Sequence, residues 1–102
     1  MNLLFICNLG KHRSRTAAEI LANEYNTDYA GLYQNLVTEK QVEWADIIFV
    51  MEDFQRKIIS ERFPKLYLKK RILCLNIMDC YSYMDEELIK IIKEKIKTAL
   101  KT

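Results

Sequence analysis

The sequence predicts an α/β fold, in which helices cover both faces of an open parallel sheet of three or four strands. Two short and continuous apolar runs, at residues 3–6 and 47–51, are typical of strands buried on both faces. Stretches with helical spacing of apolar residues separate these runs from two further strand candidates. Strands and helices therefore alternate along the chain, and alternation favours parallel pairing because each helix returns the chain to the same end of the sheet.

In the first half of the chain, two helices and one short strand follow the first apolar run. Apolar residues from Ala17 onward recur at helical spacing and predict a helix from Ser14 to about residue 25. Residues 26–28 are read as a break, and residues 29–32 as a short strand. Thr38 and the glutamine three residues later have capping-box spacing, which predicts a helix that ends near residue 45.

In the second half, two helices flank the last predicted strand. Asp53 is expected to cap a helix that Pro64 ends. Residues 72–75 form the fourth apolar run and predict the fourth strand. Asp85 is expected to cap the last helix, whose first turn is acidic and whose end is rich in lysine, as the helix dipole favours.

The composition excludes several classes of protein. A chain of 102 residues with net charge +2 predicts one domain, residues 1–102, without general attraction to nucleic acid or acidic membranes. The longest apolar run is far too short to span a bilayer, and the first residues do not resemble a signal peptide. Three cysteines without Cys-x2-Cys spacing favour a reducing cytoplasm over a disulfide framework or a zinc site. We therefore expect a cytoplasmic protein with no membrane or nucleic-acid partner.

The loop between the first strand and the first helix carries the strongest chemical signal. It starts at Cys7 and ends, after five intervening residues, at Arg13. Backbone N–H groups and the helix dipole hold anions at such a junction, and a thiol there is expected to be a thiolate near neutral pH. A planar guanidinium can bind two oxygens of a tetrahedral oxyanion. The spacing therefore favours a phosphatase-type nucleophile and phosphate ligand over a buried structural cysteine and a surface arginine.

Other residues of this loop have supporting roles in the prediction. Ser14 is expected to cap the helix or to form a hydrogen bond with the Cys7 sulfur, and these two roles are compatible. Gly10 is expected to have a positive φ that turns N–H groups inward, and His12 is expected to be an exposed loop residue rather than a base. The N–H groups predicted to bind phosphate belong to Asn8, Leu9, Gly10, Lys11 and His12, together with Arg13 and Ser14.

Asp79 is the candidate general acid. It follows the last predicted strand, so it should lie at the same edge of the sheet as Cys7. A positioned carboxylic acid can protonate a leaving phenolate, whereas the alternative is a solvated loop residue. Tyr81 is predicted to line a substrate cleft, and Tyr83 is left open between cleft and sheet packing.

These motifs resemble the low-molecular-weight protein tyrosine phosphatases, and most of all their short microbial relatives of about 100 residues. The resemblance rests on Cys7-x5-Arg13-Ser14 near the start and on Asp79-Cys80-Tyr81 before the last helix. Tyr29-Ala30-Gly31 is similar to the family's Ser-Ala-Gly after the second strand. The Ala-Asp pair before the third strand is similar too.

The resemblance implies a four-stranded parallel sheet of Rossmannoid type with helices on both faces. It implies a phosphomonoester hydrolase, protein tyrosine phosphatase-like, that acts through a phosphocysteine intermediate and needs no metal or cofactor. Cys7 would be the nucleophile, Arg13 the phosphate ligand, Ser14 the thiolate partner and Asp79 the general acid. Its partners would be a phosphotyrosine protein or a small aryl phosphate, with inorganic phosphate or sulfate also bound by the loop.

Three residues depart from the family pattern. Gly10 stands where the larger enzymes carry an asparagine that braces the loop, Arg15 stands where a proline starts the helix, and Cys80 replaces the proline after the acid.

Other functions stay open on the sequence alone. A thiol-relay arsenate reductase of the same fold would use further cysteines, for which Cys74 and Cys80 are candidates. A phosphocarrier of the sugar-transport IIB type would also have a phosphocysteine after the first strand, but it lacks the arginine and serine found here. A non-catalytic phosphate-binding module is the third alternative.

Overall fold

The computed structural model describes residues 1–101, which form one all-parallel sheet and its helices. The strands lie in the order β2-β1-β3-β4 and comprise β1 (Asn2–Cys7), β2 (Asn26–Gly31), β3 (Ile47–Val50) and β4 (Arg71–Cys74). The helices are α1 (Arg13–Leu21), α2 (Glu39–Trp44), α3 (Asp53–Arg62), α4 (Pro64–Tyr67) and α5 (Glu86–Ala99). The predicted α/β architecture is confirmed, with four strands. None of these helices is both long enough and apolar enough to cross a bilayer.

The two central strands are buried on both faces, as their continuous apolar runs predict. Alternate residues point to opposite sides, so Leu3 and Phe5 of β1 pack toward α1 and α5, while Leu4 and Ile6 pack toward α2 and α3. Phe5 stacks on Phe49 of β3, with ring centroids 5.2 Å apart. Helices therefore cover both faces of the sheet.

The first helix and the second strand differ from the prediction at their shared boundary. Helix α1 ends at Leu21 instead of residue 25, and β2 begins at Asn26, within the stretch read as a break. The polar residues 26–28 join the sheet because β2 is an edge strand, where one side of the ladder is sufficient. Asn26 pairs with Asn2 in the ladder, and its side-chain amide donates to Asn2 Oδ1 at 3.0 Å.

The helix caps agree with the sequence at two of the predicted positions. The Thr38 capping box is present, and Asp85 accepts a hydrogen bond from the backbone N–H of Glu87 at 2.8 Å. The expected Asp53 cap is wrong, because Asp53 is already the first residue of α3 and Glu52 holds the cap position. Pro64 does more than follow α3, since it is the first residue of α4.

The strand order of the sheet reverses between β1 and β3. From β1 the chain continues to β2 on one side and then to β3 on the other, so the strand order reverses between these two strands. Ligands of open α/β sheets bind at such a switch point. Cys7 ends β1 at this point, and Glu52 follows shortly after β3.

Candidate active site

The loop of residues 8–12 turns the carbonyl groups of its first three residues toward the segment that follows β2. The Asn8 carbonyl accepts hydrogen bonds from the backbone N–H groups of Leu32 and Tyr33, at 2.9 and 2.8 Å. Gly10 has φ +63°, as predicted. The backbone N–H groups of residues 9–14 have no acceptor within residues 1–101. The loop and the first turn of α1 therefore present a row of free donors, which is the arrangement that binds anions.

The Cys7 sulfur and the Ser14 hydroxyl lie 3.1 Å apart, and both side chains are buried. Ser14 is the second residue of α1, and His12 occupies the cap position without a side-chain hydrogen bond. The interpretation of Ser14 as a helix cap is therefore wrong, and its contact with Cys7 is the one that the structure forms. His12 is exposed, as predicted.

The Arg13 side chain is buried at the carboxyl edge of the sheet, with only 1% of the residue exposed. The surface alternative for Arg13 is therefore wrong. Its Nη1 donates to Glu52 Oε1 at 2.7 Å and to the Ile77 carbonyl at 2.6 Å. Its Nε and Nη2 are also buried and have no hydrogen-bond partner within residues 1–101. Unpaired buried donors of a charged group are costly, and an oxyanion would satisfy both of them.

Asp79 lies beside this guanidinium. Its Oδ2 is 3.7 Å from Arg13 Nη2, and its side chain is 52% exposed. The loop that carries Asp79 is held at both ends, by the contact of the Ile77 carbonyl with Arg13 and by a 2.9 Å hydrogen bond from the Met84 N–H to Thr16 Oγ1. The structure thus brings Asp79 and Arg13 together at one edge of the sheet.

The two tyrosines after Asp79 have different surroundings. Tyr81 is partly buried against the core on the α1 and α5 face, and this burial raises the pKa of its phenol. The Arg15 guanidinium lies over the Tyr83 ring, with its Cζ atom 4.3 Å from the ring centroid. Tyr83 also lines an open pocket of about 420 Å³ beside the loop, together with Gly10, Lys11, His12, Arg15, Tyr29 and Asn35. The role of Tyr81 as a substrate wall stays a prediction.

Sequence reasoning missed the residues that support the loop and the guanidinium. Glu52 holds Arg13, and the buried Gln55 donates from Nε2 to Asn8 Oδ1 at 2.8 Å. Gln55 Oε1 also accepts from the Met51 N–H at 2.8 Å, which fixes the turn after β3. The position of Glu52 just after a buried strand was an available signal, because such positions lie at the carboxyl edge.

The other two cysteines have different surroundings from Cys7. The Cys74 side chain packs on the α3 side of the sheet, whereas Cys7 belongs to the core on the opposite face. Burial raises the pKa of the Cys74 thiol, and Cys80 is exposed. Cys7 and Cys74 therefore lie on opposite faces of the sheet. Within residues 1–101, no group of three or more His, Cys, Asp or Glu side chains is placed to hold a metal ion.

Sequence comparisons do not identify relatives of this chain. No family model matches it, and no curated protein matches it.

Solved structures do match it over nearly its whole length. A low-molecular-weight protein tyrosine phosphatase from Streptococcus pyogenes superimposes with TM-score 0.78 at 13% identity, covering 98% of this chain and 91% of its own. YwlE arginine phosphatase from Geobacillus stearothermophilus gives 0.76 at 19% identity, with 98% and 92% covered. Wzb from Vibrio vulnificus, in complex with benzylphosphonate, gives 0.76 at 15% identity, with 98% and 97% covered. The predicted low-molecular-weight phosphatase fold is confirmed.

Proposed function

We propose that this protein is a phosphomonoester hydrolase that forms a phosphocysteine intermediate on Cys7. The buried Arg13 guanidinium carries the proposal, because its Nε and Nη2 have no partner among residues 1–101 while its Nη1 is fixed by Glu52. A tetrahedral phosphate at the mouth of the loop would accept hydrogen bonds from both free nitrogens and from the N–H groups of residues 9–14. No other group of the described residues offers such a set of unpaired buried donors.

In the first proposed step, the Cys7 thiolate attacks phosphorus and the bond from phosphorus to the leaving oxygen breaks. Asp79 gives its proton to that oxygen, so the alcohol or phenol leaves neutral. The oxygens of the transferring phosphoryl group are held by Arg13 and by the loop N–H groups, which stabilise the charge of the transition state.

In the second proposed step, water attacks the phosphocysteine. The Asp79 carboxylate accepts a proton from this water, the phosphorus–sulfur bond breaks, and inorganic phosphate and the Cys7 thiolate are regenerated. Ser14 supports both steps, because its hydroxyl, 3.1 Å from the sulfur, can donate to the thiolate. The reaction needs only groups of this chain and water.

The chemistry of the loop surroundings favours aryl phosphates over phosphoarginine. Structural neighbours include both a tyrosine phosphatase and an arginine phosphatase, so the fold does not decide between them. The groups that line the pocket beside the loop include two exposed cations, Lys11 and Arg15, and the half-buried ring of Tyr83. Near Arg13, the Glu52 carboxylate is bound to the Arg13 guanidinium, and the Asp79 carboxyl group is assigned to proton transfer. A phosphorylated guanidinium would add a cation to this surface, whereas a phenol would stack on an aromatic ring. We therefore propose phosphotyrosine in a protein, or a small aryl phosphate, as the substrate.

The test is the turnover of para-nitrophenyl phosphate by the wild-type protein and by Cys7→Ser, followed by O-phosphotyrosine against phosphoarginine at equal concentration. We expect steady hydrolysis that Cys7→Ser abolishes, and faster release of phosphate from phosphotyrosine. Absence of wild-type turnover, with phosphate still bound, would identify a phosphate-binding module instead. Wild-type activity that requires arsenate and a thiol reductant would identify a thiol-relay reductase.

A further inference from the structure

The segment of residues 32–35, which follows β2, holds three successive carbonyl groups of the phosphate loop. Backbone N–H groups of Leu32 and Tyr33 bind the Asn8 carbonyl. The next two carbonyls are bound by one side chain, because Asn35 Nδ2 donates to Leu9 O at 3.0 Å and to Gly10 O at 3.4 Å. The outer side of the loop is therefore fixed by a neighbouring segment instead of by its own side chains.

The backbone of Asn35 is shaped for this contact. Its φ is +49°, in the left-handed region that asparagine tolerates better than most residues. Its carbonyl accepts a hydrogen bond from the Gly31 N–H at 2.8 Å. The turn is thus anchored at the end of β2, and the amide is directed at the loop.

The loop has no room for a brace of its own at Gly10. A Cβ atom there would lie 2.7 Å from the Ala30 carbonyl carbon and 2.7 Å from the Gly31 nitrogen, both backbone atoms that cannot move aside cheaply. An asparagine at position 10, as in the larger enzymes that the sequence resembles, does not fit this backbone. Asn35 contributes the hydrogen bonds from outside.

We propose that Asn35 is a positioning residue for phosphate binding, an inference that rests on the proposed function. In a trans peptide the N–H of a residue points opposite to the carbonyl of the residue before it. By holding the carbonyls of Leu9 and Gly10 outward, Asn35 keeps the N–H groups of Gly10 and Lys11 pointed at the phosphate. The hydrogen bonds of the Asn35 amide go to these two loop carbonyls.

The experiment measures binding of inorganic phosphate to the whole chain by titration of the backbone amide resonances of residues 8–14. Asn35→Gly removes the amide and keeps the left-handed backbone accessible. Asn35→Asp keeps the shape but turns a carboxylate oxygen toward the two carbonyls. Gln34→Gly and Gln34→Asp place the same two residues at the exposed neighbouring position and serve as controls.

We expect Asn35→Gly to weaken the phosphate Kd about threefold to tenfold, as the loss of one or two modest hydrogen bonds implies. Asn35→Asp should weaken it further than Gln34→Asp, which adds the same charge without facing the loop. The KM for an aryl phosphate should rise with the Kd, and kcat should fall less. The melting temperature, which reports a merely structural role, should follow the matched control.

The inference is overturned if Asn35→Gly and Gln34→Gly bind phosphate equally well, since the amide then has no effect on the loop. It is also overturned if Asn35→Gly loses melting temperature but not affinity. If the wild-type protein shows no shift of its loop resonances with phosphate, the proposed function fails first, and that outcome is visible before any variant is compared.

Discussion

Replacement of Arg13 by lysine keeps the positive charge beside Cys7 and removes the planar fork. In the structure the fork is divided between two tasks. Nη1 holds Glu52 and the Ile77 carbonyl, while Nε and Nη2 are buried without partners within residues 1–101. A lysine has one nitrogen, so it can stay with Glu52 and Ile77 or move to the phosphate, but it cannot do both.

The expected loss follows from the two donors that no longer reach the phosphate. Hydrogen bonds from charged groups contribute about 1.5–3 kcal/mol each, so two of them amount to about 3–6 kcal/mol. If they act in the transition state, kcat/KM for para-nitrophenyl phosphate should fall by about 10²–10⁴-fold in Arg13→Lys. The phosphate inhibition constant should rise as well, because the same oxygens are bound in the product.

The matched control is Arg15→Lys, the same exchange two residues along α1. The Arg15 side chain is 44% exposed, and its charge lies over Tyr83 and beside Glu19. We expect this variant to stay within about threefold of the wild type, because exposed rim charges act weakly through water and salt. Urea unfolding should show that both variants are folded in the assay. An Arg13→Lys enzyme within tenfold of the wild type, or one no worse than Arg15→Lys, would remove Arg13 from the proposed site.

Three further predictions test other parts of the site. Asp79→Asn should slow hydrolysis of phenyl phosphate by about 10²–10⁴-fold and that of nitrophenyl phosphate much less. It should also abolish the alkaline fall of the pH–rate profile. Equal slowing of all leaving groups would assign the proton to another residue. Iodoacetate should label Cys7 faster than Cys74 at pH 7, with protection by phosphate, because the raised pKa of Cys74 delays its ionisation to more alkaline pH; equal rates would contradict a thiolate at Cys7. Glu52→Ala should lower kcat/KM about tenfold. Glu52→Gln should largely restore it, since the amide oxygen can still accept a hydrogen bond from Arg13. A Glu52→Ala enzyme with wild-type kinetics would show that this contact does not position the guanidinium.

The central strands were predictable because burial dictates their composition. Residues 3–6 and 47–51 are apolar without alternation, which only a strand covered on both faces requires. The start of β2 was not predictable from composition, since Asn26, Thr27 and Asp28 gain their strand conformation by pairing with β1 at the edge of the sheet. The residues around position 26 do not indicate which strand they will pair with.

In the site, too, the features set by local sequence were predictable and those set by distant segments were not. The spacing of Cys7 and Arg13 is a local property of one loop, and it located the nucleophile candidate and the guanidinium without the fold. The supports come from distant segments, with Glu52 39 residues from Arg13 and Asn35 26 residues from Leu9. Neither lies in a periodic pattern, and Asn35 belongs to a turn whose function depends entirely on what it faces.

The use of glycine in this chain explains why the loop is held from outside. The sequence has two glycines, Gly10 and Gly31, and the fold brings them together. A Cβ on Gly10 would lie 2.7 Å from the Gly31 nitrogen, and a Cβ on Gly31 would lie 2.7 Å from the Gly10 nitrogen. Both residues are therefore required at a single contact, where the loop packs directly on the end of β2. That close approach brings the loop carbonyls within reach of the segment after β2. The same contact between the loop and β2 therefore excludes a side chain at position 10 and places the Asn35 amide beside the loop.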